Sequence, residues 1–105
     1  MLDFNLASPA EICAALGERL KAARHAKGLQ QAELALRAGI SRNTLLALES
    51  HGQGSMATLV RVASALGVVD QLQSLFVLQI QSIAQLQARA APPPQRIRKP
   101  GNKTK

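Results

Sequence analysis

The chain has 105 residues, of which 47% are apolar, and 13 Lys and Arg against 6 Asp and Glu give it a formal net charge of +7. This length predicts one compact domain with tails, and an aromatic content of only two residues argues against modules that stack single-stranded nucleic acid on aromatic rings. A single cysteine excludes a disulfide framework, and the lack of a long apolar run excludes a membrane span, so we expect a cytoplasmic protein. With only two histidines and one cysteine, the sequence also predicts a protein that is not an enzyme and needs no cofactor or metal.

Residues 1–8 form an N-terminal arm in which Leu2, Phe4 and Leu6 alternate with polar residues at the period of a strand. A single short strand is not stable alone, so it would need a partner such as the same strand of a second subunit. The alternative is a frayed N-terminus.

The domain proper is predicted over residues 9–78 and begins with a strong helix. Ser8, Pro9 and Glu11 have the spacing of a capping box with a first-turn proline, and Gly28 is placed to end the helix. The apolar stripe of this first helix comprises Ile12, Leu16, Leu20 and Ala23. Cys13 lies beside the stripe, where we expect a core or half-buried position.

Two short helices follow, the first over residues 31–38 and the second, capped by Ser41, to about Glu49. Ala35 is small where the two helices cross, and Gly39 suits the turn between them. Leu45 and Leu48 then fix the second of the pair to the core. This spacing is typical of a helix-turn-helix.

After a loop over residues 50–54, the pattern predicts a fourth helix capped by Ser55 and ended by Gly67, and a fifth capped by Asp70. The core face of the fourth helix is expected to comprise Leu59, Val62, Ala63 and Leu66. The fifth helix carries the apolar residues Leu72, Leu75 and Phe76.

The last two segments are predicted to lie outside the domain. Residues 79–91 read as a connector followed by a short helix over 82–90, and residues 92–105 read as a Pro-rich, disordered tail. The basic residues of this tail are Arg96, Arg98, Lys99, Lys103 and Lys105. Because residues 1–88 carry seven Lys and Arg and six Asp and Glu, nearly all of the net charge belongs to the C-terminal end.

The N-terminal tip of the third helix carries Arg42, Asn43 and Thr44, and a helix-turn-helix projects this tip outward. In the DNA major groove, arginine can bind guanine, asparagine can bind adenine, and a threonine methyl can touch the methyl of thymine. We therefore expect these side chains to contact base edges. The alternative is that they are ordinary solvated residues.

The stretch from Leu16 to Phe76 resembles the five-helix, lambda-repressor-like DNA-binding domain of the Xre or phage-repressor family. The segments that carry the resemblance are LGERLKAAR, GLQQAELALRAGIS, the TL..LE element and TLVRVASALGV. The implied fold is all-α, with five helices followed by the short C-terminal helix and the basic tail.

Within that family the chain is most similar to HipB-type antitoxins, which accompany HipA-like kinase toxins, through the segments DQLQSLF, SIAQLQARA and QRIRKP. The resemblance implies a homodimer that binds a palindromic operator of its own operon in double-stranded DNA, represses transcription and holds a kinase toxin inactive. It also implies that Gln31, Ser41 and Ser50 contact phosphates and that Arg24 pairs with Glu49.

Three positions depart from the family pattern: Gln30 replaces the usual Ser or Thr cap, His51 stands where glycine is usual, and Leu36 is apolar where polar residues are common. Leu36 can be a lone exposed leucine or part of a protein interface. Two alternatives stay open for the function of the chain, and three for the role of the tail. The chain could be a stand-alone Xre-type repressor or a protein-binding module that kept the fold, and the tail could bind DNA, bind a toxin or only confer solubility.

Overall fold

The computed structural model describes residues 1–78, and over this range the chain is all-helical. Its elements are α1 (Pro9–Ala26), α2 (Gln31–Ala38), α3 (Arg42–His51) and α4 (Met56–Leu66), followed by a 3-10 turn at Val69–Leu72. The chain divides into two units, Met1–Leu75 and Phe76–Lys105. The helix predicted over 82–90 and the tail predicted over 92–105 lie outside the described residues.

Three predicted helix starts are confirmed in atomic detail. The Ser8 side chain accepts a hydrogen bond from the Glu11 amide at 3.1 Å, and the Glu11 carboxylate accepts one from the Ser8 amide at 2.8 Å. Ser41 and Ser55 cap α3 and α4 through bonds of 3.0 Å to the amides of Thr44 and Thr58. These bonds satisfy amide groups that a helix leaves without an internal partner, so each helix begins where its cap residue stands.

The hydrophobic core lies where α2, α3 and α4 meet. Leu34, Leu45, Val62 and Leu66 are fully buried, and Ala35, Ala38 and Leu48 complete the cluster of buried side chains. Leu20 and Ala23 of α1 pack against this cluster from outside. Cys13 is exposed, which corrects the expected core or half-buried position.

Two glycines set the close spacing of the helices. Gly39 has φ +72°, a left-handed conformation that a side chain disfavours, and it turns the chain from α2 into α3 as predicted. At Gly17 in the middle of α1, an added Cβ would collide with the carbonyl oxygen of Leu48 in α3. A glycine is therefore required at both positions, the first for its backbone and the second for its missing side chain.

The N-terminal arm forms a turn in place of the strand that was one of its two predictions. The Leu6 amide donates to the Asp3 carbonyl at 3.0 Å, and the Asn5 amide donates to the Asp3 side chain at 2.9 Å. An Asp side chain that bonds the amide two residues later competes with extended structure. Within residues 1–78 no strand is present.

The predicted fifth helix is also not found in residues 1–78. Val69–Leu72 is a single 3-10 turn preceded by Val68, which offers no side-chain cap, and Asp70 lies inside the turn rather than before it. Further along, Phe76 has φ +59°, which a right-handed helix does not allow. The described residues therefore hold four α-helices and one short turn.

The third helix runs two residues beyond its predicted end. It continues to His51, and Gly52 ends it in the left-handed conformation with φ +66°. His51 is thus the last residue of α3, and Gly52 supplies the left-handed cap that ends it.

Candidate nucleic-acid interface

The tip of α3 presents two polar side chains to solvent. Arg42 and Asn43 are both exposed, whereas Thr44 is half-buried. The Thr44 hydroxyl lies 2.7 Å from the Ser41 hydroxyl, and the Thr44 amide donates to the same Ser41 oxygen. Among residues 1–78, Arg42 forms no salt bridge. The guanidinium of Arg42 and the amide of Asn43 are thus available to a ligand, while the polar groups of Thr44 and Ser41 are bonded to each other.

The opposite side of α3 is packed firmly into the hydrophobic core. Leu45 and Leu48 are buried against α2, where the small side chain of Ala35 lets the two helices approach. The turn between them is closed by the Ile40 amide, which donates to the Ala35 carbonyl at 3.0 Å. These contacts fix the direction in which the tip of α3 points.

A buried ion pair anchors the C-terminal half of α3 to α1. Arg24 and Glu49 are 5% and 3% exposed, and two parallel bonds join them, Nε to Oε2 at 2.7 Å and Nη2 to Oε1 at 3.0 Å. Arg24 Nη1 also donates to the Leu29 carbonyl at 2.9 Å, in the loop that leads to α2. The pairing of Arg24 and Glu49 expected from the family resemblance is present in this geometry.

The environment of Glu49 favours its charged form. Burial by itself would raise the pKa of this carboxyl, but the hydrogen bonds from Arg24 and Gln31, together with the positive charges of Arg24 and Lys21, outweigh burial and hold the pKa below its usual value. Glu49 is therefore a carboxylate at neutral pH, and it stabilises α3 as an anion.

Gln31, predicted to contact a phosphate, takes part in this anchor. Its Nε2 donates to Glu49 Oε1 at 3.1 Å, and its side chain is half-buried. Gln30 precedes it as the N-cap residue of α2 and makes no side-chain cap bond, as expected from the departure at this position. The first amides of α2 therefore have no capping side chain, and they lie at the positive end of the helix dipole.

The structure brings Gln31 and Arg42 together but places Ser50 elsewhere. Gln31 and Arg42 line one shallow groove, whose other lining residues are Arg24, Gln30 and Ala32. Ser50 lines a separate groove between α1 and α3, beside Lys21 and His25. The five basic tail residues proposed as an auxiliary contact lie outside the described residues.

Two features of this site were not foreseen from the sequence. The bond between Gln31 and Glu49 joins residues 18 positions apart, and no local pattern signals it. The close approach at Gly17 had a signal, because a glycine in the middle of an otherwise strong helix indicates a packing reason. Both features serve to hold α3 in place.

The match to a known protein family covers this part of the chain. Residues 20–70 match the family model described as helix-turn-helix. This part of the chain is similar to a helix-turn-helix domain. The match supports the Xre or phage-repressor family and a DNA-binding transcription regulator, and the matched family is a DNA-binding, non-enzymatic domain.

No curated protein matches the chain. None of the helices within residues 1–78 has the combination of length and apolar character that crossing a bilayer demands.

Proposed function

We propose that this protein is a sequence-specific transcriptional repressor that reads double-stranded operator DNA with the tip of α3. The observation that carries the proposal is the exposure of Arg42 and Asn43 at the start of a helix whose other end is buried and ion-paired. To insert into the major groove, a helix needs a fixed position in the fold and an exposed N-terminal tip.

Each side chain at the tip has a defined part in the proposal. Arg42 donates to the guanine O6 and N7 acceptors, and Asn43 forms a paired contact with adenine N6 and N7. Thr44 completes the predicted base-reading set. Gln31, together with the uncapped amides at the start of α2, binds a phosphate, and Ser41 and Ser50 are the further phosphate contacts.

The proposal includes a homodimer in the cytoplasm. One helix tip reads only a few base pairs, whereas two tips related by a two-fold axis read half-sites that lie about one helical turn of DNA apart. A palindromic operator is the DNA counterpart of such a dimer. Repression follows where the operator overlaps a promoter.

The more specific form of the proposal is an autoregulating antitoxin of a HipA-like kinase toxin. Its support is the resemblance of DQLQSLF, SIAQLQARA and QRIRKP to HipB-type antitoxins. The second candidate is a stand-alone Xre-type repressor without a toxin. A protein-binding module that kept the fold is the third, and the 81% exposed side chain of Leu36 on α2 is the observation that favours it.

A gel-shift titration tests the DNA-binding proposal. The full chain is titrated against the DNA upstream of its own reading frame at moderate salt, with random-sequence DNA as competitor. We expect saturable binding that the competitor does not remove. Binding that the random-sequence competitor removes would contradict sequence-specific recognition and favour the protein-binding module.

The partner and the tail need separate tests. A kinase-like reading frame next to this one, whose product co-purifies with the full chain, would support the antitoxin, and the absence of both would favour the stand-alone repressor. Removal of residues 92–105 should flatten the salt dependence of DNA binding, because fewer phosphates are neutralised. An unchanged slope would mean that the tail binds a toxin or only confers solubility.

A further inference from the structure

The exposed side of α3 carries an apolar side chain that the proposed function leaves without a role. Leu46 is 46% exposed, and it follows Arg42 by one helical turn and Asn43 by three residues. Residues three and four apart on a helix are neighbours on its surface. Leu46 is therefore continuous with the polar tip, on the side of the helix that the proposed function turns toward DNA.

The major groove offers an apolar side chain one preferred target. Base edges there are hydrogen-bond donors and acceptors, apart from the C5-methyl group of thymine. Four residues of helix rise about 6 Å, which is close to two base-pair steps of about 3.4 Å. When Arg42 and Asn43 bind one part of a half-site, Leu46 is placed to reach a neighbouring base pair.

Thr44 is a poorer candidate for this apolar contact. Its side chain is half-buried, and its hydroxyl is bonded to Ser41. At about 100° per residue, Thr44 and Leu46 project about 160° apart around the helix axis, so they do not face the same base. The larger and more exposed apolar surface belongs to Leu46.

We propose that Leu46 is a specificity-determining residue that contacts the methyl group of a thymine next to the bases read by Arg42 and Asn43. This inference rests on the proposed DNA-binding function and adds a base preference to it. The contact buries a methyl group against an isobutyl side chain, so it selects thymine over bases that lack a methyl at this position. A half-site should therefore contain at least one thymine whose methyl group matters for affinity.

The experiment removes single thymine methyl groups from the DNA and shortens the Leu46 side chain of the protein. The bound site is first located by footprinting, and each of its thymines is then replaced singly by deoxyuridine, which differs only by the missing methyl. With the wild-type chain, one replacement per half-site should weaken binding about fourfold, the effect of one buried methyl. In Leu46→Ala the same replacement should change affinity less than twofold.

Leu36→Ala is the control, because it removes an exposed leucine from α2 and should keep the full deoxyuridine effect. Thr44→Ser tests the other apolar contact proposed for the tip of α3, because it removes only the Thr44 methyl and retains the hydroxyl that lies against Ser41. Loss of the deoxyuridine effect in this variant would assign the contact to Thr44. Thermal unfolding of Leu46→Ala should stay close to that of the wild type, because Leu46 is about half exposed and lies outside the buried core cluster.

The outcomes separate this inference from the proposed function. Specific binding in which no thymine methyl matters would overturn the role of Leu46 alone. A deoxyuridine effect that persists in Leu46→Ala, or that disappears in Thr44→Ser, would do the same. If the wild-type chain binds no DNA site specifically, the proposed function fails and this inference fails with it.

Discussion

The two ends of α3 differ in almost every physical respect. At the N-terminal end, Arg42 and Asn43 are exposed, and Arg42 makes no salt bridge with any of residues 1–78. At the C-terminal end, Glu49 is buried and accepts hydrogen bonds from Arg24 and Gln31. A positive charge left open to solvent and a negative charge buried with its partners thus lie within two turns of one helix.

This difference separates stability from recognition along a single element. The buried end contributes to the free energy of unfolding, because removing one of its groups leaves another charged group unpaired inside the protein. The exposed side chains of Arg42 and Asn43 contribute little to that free energy, since solvent already satisfies their polar groups. Variants at the two ends should therefore have opposite signatures in stability and in DNA binding.

The largest effect is expected from breaking the buried pair. Arg24→Met should lower the free energy of unfolding by about 3–5 kcal/mol, because Glu49 stays buried without its cation. Chemical denaturation measures the loss. The double variant Arg24→Met with Glu49→Leu should recover much of it, and a single variant as stable as the wild type would show that the pair does not anchor α3.

At the exposed end, Arg42→Ala should weaken specific DNA binding by about 1–3 kcal/mol and relax the preference at one base pair. The free energy of unfolding should stay within about 0.5 kcal/mol of the wild type, as for most surface substitutions. Arg37→Ala is the matched control, since Arg37 is an exposed arginine already paired with Glu33 on α2. Equal losses on operator and random DNA would mean that Arg42 binds phosphate and does not read bases.

The two serine caps distinguish a loss of stability from a loss of DNA binding. Ser41→Ala and Ser55→Ala each remove one bond of 3.0 Å to a helix amide, so each should cost about 1 kcal/mol of stability. Only Ser41→Ala should also weaken DNA binding, because Ser41 orders the tip that carries Arg42. Similar binding losses in both variants would point to a general effect of stability.

The smallest expected effect is a graded loss of stability in acid. The folded protein holds the pKa of Glu49 below its usual value, so the carboxylate stabilises the fold at neutral pH. This stabilisation is lost as the pH falls from about the ordinary pKa of 4.5 through the lower folded value. Denaturation midpoints between pH 6 and about 3 should fall less steeply in Glu49→Gln. Midpoints that fall equally steeply in the wild type and in Glu49→Gln would contradict the link between the ionisation of Glu49 and stability.

Much of the fold could be predicted because its signals are local. Ser8, Ser41 and Ser55 each stand three residues before the amide that they cap, so the sequence shows the start of each helix directly. Gly39 likewise indicates the turn of the helix-turn-helix. The exposed positions of Arg42 and Asn43 followed from the spacing of Leu45 and Leu48, and their contacts with DNA remain predictions.

The features that were missed depend on distant residues or on competing local bonds. The bond from Gln31 to Glu49 requires α2 and α3 to be packed first, so no window of sequence shows it. The turn at Asp3 arises because a side-chain oxygen bonds a nearby amide more readily than an isolated strand finds a partner. The fifth helix was predicted from an apolar pattern that does not reveal the left-handed backbone of Phe76.

Chemical-shift mapping of the full chain with operator DNA locates the residues of α2 and α3 that contact the duplex. Backbone amide signals are recorded before and after addition of a duplex that carries the footprinted site. We expect the largest changes on residues 41–47 and at the start of α2, and little change at the buried residues Leu48 and Glu49. Large changes confined to α4 or the Val69–Leu72 turn, with Arg42 and Asn43 unmoved, would contradict it.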